Sequence, residues 1–253
     1  MKPKYWSAVS VSLAAIAALG MFLWPLFVSN TSASPTLLAQ GVFIGLMPAV
    51  LLLILVEFGA GKLDSRSIAI LGLLIALNAV IRLLGAGVSG IETAFFLIII
   101  GAYVFGAGFG FILGAGSLFV SALLGAGIGP WLPFQMMAAG LIGIGAGLLN
   151  RLSTRSPRLI IGSYAAIASF MYGGLMTMWT WPFLAGTGTS LSFIPGAPII
   201  DNLTTFLRYE LFTGGLLWDL GRAVTTVALI GLTGKTLLAT LNRVANKASI
   251  SVL

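Results

Sequence analysis

The chain has 253 residues, of which 58% are hydrophobic and only 8% are charged, and its formal net charge is +7. A soluble domain carries about a quarter charged residues. The composition therefore excludes a soluble fold and predicts an all-α polytopic membrane protein. The sequence has no Cys and no His, which excludes disulfides and any metal, haem or catalytic site built on those residues. We expect no bound metal and no cofactor.

The positive charge is spread along the chain and is not collected in one patch. Basic residues stand between apolar runs, which is the positive-inside pattern of membrane proteins. A nucleic-acid partner would require a basic face or stripe. We therefore expect the chain to interact with a lipid bilayer and with no nucleic acid.

The N-terminal region is predicted to form two transmembrane helices, because a span needs about 20 apolar residues. They cover residues 6–28 and 37–58, with a polar connector at 29–35. The first run is longer than the roughly 7–15 apolar residues of a signal peptide, so we expect a retained helix. A third predicted span follows at residues 67–84.

An uncharged stretch at residues 93–125 is too long for a single span. As one helix it would measure about 50 Å, against about 30 Å for the hydrocarbon core. It is therefore predicted to fold back at residues 106–110, which gives a short fourth span and a fifth. Pro is tolerated in a first helical turn, so Pro133 is predicted to open a sixth span that ends at Leu149.

The remaining sequence predicts two more spans, for a total of about eight. The seventh covers residues 159–181, and a loop rich in Gly, Pro, Ser and Thr follows at 182–203. The eighth falls within 206–233 and precedes a basic tail. With eight spans both termini lie on one side of the membrane, and the positive-inside rule makes that side the cytoplasm.

This orientation accounts for most of the basic residues. Those predicted to lie on the cytoplasmic side are Lys2, Lys4, Lys62, Arg66, Arg151, Arg155, Arg158, Lys235, Arg243 and Lys247. Only Arg82, Arg208 and Arg222 lie elsewhere. The opposite orientation would therefore put most of the positive charge outside, against the rule.

Small residues recur four apart inside three of the predicted spans. The pairs are Gly72 with Ala76, Gly110 with Gly114, and Gly143 with Gly147. Helices in lipid associate through close packing, which small residues permit. Packing within the chain is the favoured interpretation for most of these pairs, and a docking face for a separate subunit is the alternative.

Single polar groups and aromatic residues gather on the predicted external side, around loops at 85–92, 125–135 and 182–203. Such a grouping suits a cavity for a small amphipathic ligand. The candidate ligand-binding residues are Asn78, Arg82, Glu92, Trp131, Gln135, Tyr172, Trp179, Trp181 and Asp201, with Tyr209 and Glu210 nearby. For Trp179 and Trp181, an interfacial aromatic belt is an equal alternative.

Two pairs of charged residues also have structural interpretations. Arg82 and Glu92 flank the first of these external loops, and an ion pair that closes the loop is favoured over ligand contact. Asp219 and Arg222 are three residues apart inside the eighth span, a spacing that permits a pair on the helix surface. Charges inside a span usually face the bundle interior. The pair is either structural or links ligand binding to helix movement.

Several stretches resemble the substrate-binding (S) components of energy-coupling factor (ECF) vitamin transporters. They are residues 76–82, Glu92 with Phe95 and Phe96, 101–106, 110–114, 129–135 and 218–223. The run Gly-Pro-Trp-Leu-Pro-Phe-Gln at 129–135 is the most specific, looks most like the cobalamin branch, and adds Phe134 to the candidate ligand residues. S components have six helices. The resemblance therefore implies a six-helix bundle over residues 67–253, preceded by two additional transmembrane helices over 1–66.

The resemblance further implies a bacterial cell-membrane protein that captures a vitamin from outside, most plausibly cobalamin or a related corrinoid. Its partners would be a transmembrane coupling subunit and two ATPase subunits. The chain itself would then be no enzyme, and the corrinoid would be a transported ligand, not a cofactor. The small-residue face on the family's first helix maps onto Ala69, Gly72 and Ala76. The bundle would topple, that is, rotate, in the membrane during transport. A small number of charged residues would suit this rotation, because charges are costly inside the bilayer.

Three other interpretations stay open. The ligand could be a different vitamin or a nucleobase-like compound. The chain could be an intramembrane enzyme using Asp219, Glu92 or Glu210, although no paired-carboxylate, Ser/Lys or metal-ligand spacing supports this. It could also be a structural assembly subunit, which the small-residue faces would suit.

Overall fold

A computed structural model describes residues 20–27, 47–52, 54–56, 64–85, 90–152, 156–184, 188–213 and 215–247, with residues 12, 16 and 45. From residue 64 onward the described residues form seven α-helices: α1 (Ser65–Gly85), α2 (Phe95–Phe105), α3 (Ala107–Ser121), α4 (Leu132–Leu149), α5 (Pro157–Leu184), α6 (Ile199–Phe212) and α7 (Gly215–Lys247). A π-helix at Ala122–Ala126 continues α3. The spans predicted at 6–28 and 37–58 fall largely outside the described residues.

Five helices are long and apolar enough to cross a membrane: α1, α3 with its π-helical extension, α4, α5 and α7. The part of the chain that the structure describes contains no strand. The prediction of an all-helical architecture of membrane type is confirmed at this level. The total of eight spans and the division at residue 66 stay predictions.

Helix α2 is a short helix at the centre of the bundle. Its 11 residues would cover only about 16 Å, and all except Tyr103 are buried. It packs against α1, α3, α4, α5 and α7. A helix that is apolar all round is typical of a buried position, so α2 serves as the core around which the longer helices assemble.

The predicted break between the fourth and fifth spans occurs at Gly106. Its φ is 96°, and its N–H donates to Ala102 O at 2.8 Å, which ends α2. Glycine adopts this left-handed φ without the strain that a Cβ would cause. The chain therefore reverses here, and α3 begins at Ala107. The prediction of a short helix followed by a longer one is confirmed.

Helices α3 and α4 form the most extensive helix pair in the described bundle. A Cβ at Gly114 would overlap Ala139 O, and a Cβ at Gly143 would overlap Gly110 O. The two backbones therefore touch directly, which only glycine permits at these positions. Packing within the chain, the favoured interpretation of these small-residue pairs, is confirmed for α3 and α4.

The C-terminal region differs from the prediction in two ways. Helix α5 continues past residue 181, and its Pro182 lies in the last turn, where it removes little of the helical hydrogen bonding. The region expected to hold the eighth span contains one helix long and apolar enough to cross a membrane, α7, but its bounds differ from 206–233. Helix α6 is separate, and α7 begins at Gly215 and extends to Lys247. Helix α6 ends at Phe212, and both the N–H and the hydroxyl of Thr213, which follows it, donate to Tyr209 O, at 2.9 and 2.7 Å. The expected basic tail is the last part of α7.

The connection between α5 and α6 is held by side-chain hydrogen bonds. Trp181 Nε1 donates to Leu191 O at 2.9 Å. Asn202 Nδ2 donates to Ile194 O at 2.8 Å, and Ile194 N donates back to Asn202 Oδ1 at 3.2 Å. Both Trp181 and Asn202 are buried, so this connection packs against the helices as a fixed part of the fold.

Helices α1 to α5 alternate in direction, and α7 begins at the same end as α2 and α4, so that the helix ends collect in two groups. Arg82 near the end of α1 contacts Ser121 at the end of α3, whereas Gly147 at the end of α4 lies against Ala107 at the start of α3. One group of ends carries the exposed basic residues Arg66, Arg151, Arg158, Arg243 and Lys247. At the opposite group, α1 and α3 finish and α2, α4 and α7 begin.

The direct backbone contact between α3 and α4 makes a testable prediction about Gly143. Its replacement by alanine forces a Cβ against Gly110 O, which can move only if the helices separate. Overpacking of this kind costs about 1–3 kcal/mol, so we expect a clear loss of thermal stability, measured on detergent-purified protein. Gly72→Ala is the control, because nothing lies within 4 Å of its Cβ position. Equal melting temperatures for the two variants would contradict the close contact.

Candidate functional site

A polar cavity of about 310 Å³ lies where α1 and α3 finish and α2, α4 and α7 begin. The helix ends surround it, and α5 contributes one residue from its middle. The lining residues are Arg82, Gly85, Gly90, Ile91, Glu92, Ala126, Gln135, Tyr172, Trp218 and Arg222. Four of the residues expected to bind ligand therefore meet here: Arg82, Glu92, Gln135 and Tyr172.

The guanidinium group of Arg82 joins three helices at the wall of this cavity. Its Nη1 donates to Ser121 Oγ at 2.8 Å, and its Nη2 donates to Gln135 Oε1 at 3.3 Å. Ser121 Oγ donates its own hydrogen to Leu118 O at 2.9 Å. A lone pair of Ser121 Oγ is therefore left to accept the hydrogen bond from Arg82. A guanidinium has five N–H donors. These two neutral acceptors therefore leave donors of Arg82 free for a further group in the cavity.

The ion pair expected between Arg82 and Glu92 is absent, because each residue has another partner. Glu92 Oε1 accepts a hydrogen bond from Ala94 N at 3.0 Å, immediately before α2 begins. A carboxylate in this position satisfies a free N–H at a helix start and is favoured by the helix dipole. Glu92 thus stabilises the start of α2 while also lining the cavity.

Asp219 and Arg222 form the ion pair that their spacing predicts, and Arg222 also lines the cavity. Arg222 Nη1 donates to Asp219 Oδ1 and, at 3.4 Å, to Ser169 O. Its guanidinium carbon lies 5.0 Å from the centre of the Tyr172 ring, a cation–π geometry. The ion pair is mostly buried. One arginine of the site therefore has its own carboxylate, whereas Arg82 is held by neutral groups.

Three aromatic residues expected at the site are core residues outside the cavity lining. Phe134 and Trp179 stack with ring centres 4.2 Å apart, and Phe22 meets Phe134 edge-on at 5.5 Å. Trp181 is fully buried against Phe206. Burial of this extent also argues against the interfacial belt that was the alternative for the two tryptophans. Their contacts position the helices around the cavity.

Three further expected residues also lie outside the cavity lining. Trp131 is 42% exposed, with its ring against Gly129. Asp201 is exposed in the first turn of α6. Asn78 is fully buried in α1, one helical turn before Arg82. None of the three reaches the cavity wall.

The wall also contains residues that were not among the predicted ligand-binding residues. Trp218 lines it from the first turn of α7, a helix start that hydropathy had merged into a longer span. Gly90 has a φ of 68°, and a Cβ there would come within 3.1 Å of Gly221 Cα. The loop before α2 therefore rests directly on α7. The only sequence signal was the stretch at 218–223, where Trp218 and Gly221 occur together.

The remaining buried carboxyl group, Glu210, lies on α6 next to Asp219, away from the cavity lining. Burial raises the pKa of Glu210. Glu92 does not belong to this pair of neighbouring carboxyl groups, Glu210 and Asp219, because it lies in the loop before α2. Within the described ranges, no group of three or more Asp and Glu residues has the geometry to hold a metal ion.

Searches of protein-family models, curated proteins and solved structures found no match to this chain. The described residues define its class: they are all-helical, include five helices long and apolar enough to cross a membrane, and form a polar cavity at one end of the bundle. The resemblance to S components stays a prediction that rests on the sequence stretches that carry it.

Gly173 provides a test of the Asp219–Arg222 pair. A Cβ at Gly173 would overlap the Asp219 carboxylate, so Gly173→Ala should displace that group and leave Arg222 unpaired. Breaking a buried ion pair costs about 3–5 kcal/mol. We expect the free energy of unfolding to fall by an amount near the lower of these values, measured by chemical unfolding of the detergent-purified protein.

The adjacent Gly174 is the matched control, because nothing lies within 4 Å of its Cβ position. Gly174→Ala should leave stability unchanged or raise it slightly, since alanine is the better helix former. If Gly173→Ala unfolded at the same denaturant concentration as Gly174→Ala, the ion pair would contribute nothing to the fold.

Proposed function

We propose that this chain is the substrate-binding subunit of an ECF-type importer in a bacterial cell membrane, with the cavity at the helix ends as its substrate site. The observation that carries the proposal is Arg82, a charged group at the cavity wall whose hydrogen-bond partners are both neutral. Charges inside membrane helices are costly and usually mark a functional site. A substrate anion would supply the opposite charge.

The distribution of charge supports an outward-facing cavity. The exposed basic residues Arg66, Arg151, Arg158, Arg243 and Lys247 lie at the bundle end opposite the cavity. By the positive-inside rule that end belongs in the cytoplasm. The cavity then opens to the exterior, where an importer must capture its substrate. This orientation also puts the C-terminus in the cytoplasm, as the positive-inside pattern of the sequence predicts.

The cavity wall suits a small anionic compound that contains a ring. Arg82 and Arg222 supply cationic N–H donors, Gln135 an amide, and Tyr172 with Trp218 aromatic surface. Its volume of about 310 Å³ is at the lower end of small-molecule sites, which range over about 300–1,000 Å³. A corrinoid would need a wider cavity. The volume therefore favours the alternative of another vitamin or a nucleobase-like compound over cobalamin.

Partner subunits would supply the energy for transport. Ala69, Gly72 and Ala76 are all exposed on α1, and nothing lies within 4 Å of the Cβ position of Gly72. A row of small exposed residues lets another helix approach closely. We propose this face of α1 as the contact for a transmembrane coupling subunit, which would connect the chain to a pair of ATPases.

Arg82→Met tests the proposed site directly. Hydrogen bonds to a charged group contribute about 1.5–3 kcal/mol, so binding of a small anion should weaken by roughly tenfold to a hundredfold. The purified full-length protein would be titrated with nicotinate, biotin, pantothenate and cobalamin, and binding measured by calorimetry. We expect binding of at least one small anion and no binding of cobalamin.

Arg208→Met is the matched control, because Arg208 is exposed on α6 and lies outside the cavity. It removes the same charge and should bind as the unmodified protein does. Equal weakening by both variants would mean that net charge, not the cavity, controls binding. If the unmodified protein bound none of these compounds, the proposed function would be wrong.

A further inference from the structure

Among the described residues, six side chains have buried polar atoms without a hydrogen-bond partner, and two of them, Asn78 and Ser117, lie on the neighbouring helices α1 and α3. Asn78 on α1 and Ser117 on α3 each have no exposed surface. No described residue pairs with the Asn78 carboxamide, at either its nitrogen or its oxygen, or with the Ser117 hydroxyl. Buried polar side chains are nearly always hydrogen-bonded. Two unpaired ones in neighbouring helices therefore point to a group that comes from outside the protein.

The helix register places these two side chains together. Asn78 lies four residues before Arg82 on α1, and Ser117 lies four residues before Ser121 on α3. Residues four apart share a helix face, and Arg82 is hydrogen-bonded to Ser121. Because α1 and α3 run in the same direction and pack together, Asn78 and Ser117 lie on the helix faces that carry Arg82 and Ser121, each about one turn, or 5.4 Å, deeper than that pair.

The depth of this pair relates it to the cavity. Arg82 lines the cavity, and its hydrogen bond to Ser121 Oγ lies about one helical turn nearer to the cavity than the two deeper side chains. An anion that drew the Arg82 guanidinium towards the cavity would release this hydrogen bond. The space between α1 and α3 would then open towards Asn78 and Ser117.

We infer that Asn78 and Ser117 form a second, deeper subsite that binds a hydrogen-bonding edge of the ligand, with a donor beside an acceptor. A carboxamide offers both a donor and an acceptor, and a hydroxyl offers either. The complementary ligand class is a small ring with an amide, lactam or pyrimidine edge, joined to an acidic group that meets Arg82. This inference rests on the proposed function and specifies the substrate class of the same site.

A matched pair of compounds tests the subsite. Orotate and benzoate both carry a carboxylate on a six-membered ring, but only orotate has N–H and C=O groups along the ring edge. We expect full-length protein to bind orotate at least about tenfold more tightly, the effect of one well-formed hydrogen bond to a buried partner. Asn78→Leu should remove this preference and leave the affinity for benzoate unchanged.

Ser117→Ala should reduce the preference in the same direction, and Ser163→Ala, at an exposed position of α5, should not change it. Thermal stability without ligand gives an independent check. Asn78 has no protein partner to lose, so Asn78→Leu should melt at the same temperature as the unmodified protein or above it. A lower melting temperature would show that Asn78 has a structural role, and would overturn the inference.

The outcomes separate this inference from the proposed function. If both compounds bind equally well and Arg82→Met abolishes both, the cavity binds anions and the deeper subsite is wrong. If Asn78→Leu retains the preference for orotate, the subsite is again wrong. If neither orotate nor benzoate binds the unmodified protein, the subsite is overturned. If nicotinate, biotin and pantothenate also fail to bind, the proposed function is overturned too.

Discussion

Direct backbone contact between α3 and α4 is the interaction on which the rest of this bundle depends. Lipid provides no hydrophobic force between helices, so association requires close packing. Glycines at 110, 114 and 143 bring the two helices together until main-chain atoms touch. The start of α4 is thereby placed beside the end of α3, and Gln135 comes within hydrogen-bonding distance of Arg82. The positions of the site residues at these helix ends therefore depend on the contact between α3 and α4.

The short helix α2 imposes the second constraint. Helix α2 is too short to cross a membrane and is buried on almost every side. The loop before α2 must therefore enter the bundle to reach it. Gly90 meets Gly221 where that loop rests on α7. The result is a recess at one end of the bundle, with Glu92 at its edge. The cavity is therefore a consequence of unequal helix lengths, which leave space above the shortest helix.

Much of this architecture could be predicted from local features. The limit on helix length in a bilayer required a break within residues 93–125, and Gly106 provides it. Pro133 marked the start of α4 because proline is restricted to the first turn. The break between α6 and α7 was missed because the apolar residues of α7 follow directly after it in the sequence. Average hydropathy does not detect such a feature.

The candidate site was harder to predict, because sequence indicates which residues are unusual but not what each contacts. Arg82 and Glu92 were expected to pair, but Arg82 bonds to Ser121 on α3, and Glu92 accepts a hydrogen bond from Ala94 N, two residues away. Trp179 and Trp181 were predicted either to bind ligand or to lie in an interfacial aromatic belt, but they pack in the core against Phe134 and Phe206. Partners such as these are distant in the sequence. Only the way in which the helices pack decides them.

The different surroundings of the two arginines are the basis for the charge of the proposed ligand. Arg222 is neutralised by Asp219 on its own helix, so it can be buried whether or not the cavity is filled. The hydrogen-bond partners of Arg82 among the described residues are Ser121 and Gln135. Their oxygens accept its hydrogen bonds but carry no negative charge to balance the guanidinium. A low-dielectric site strengthens the attraction of such a cation for an incoming anion. If Glu92 balanced Arg82 through the cavity, the ligand would need no net charge. The use of Glu92 at the start of α2 argues for an anionic ligand, because that helix end already satisfies the carboxylate.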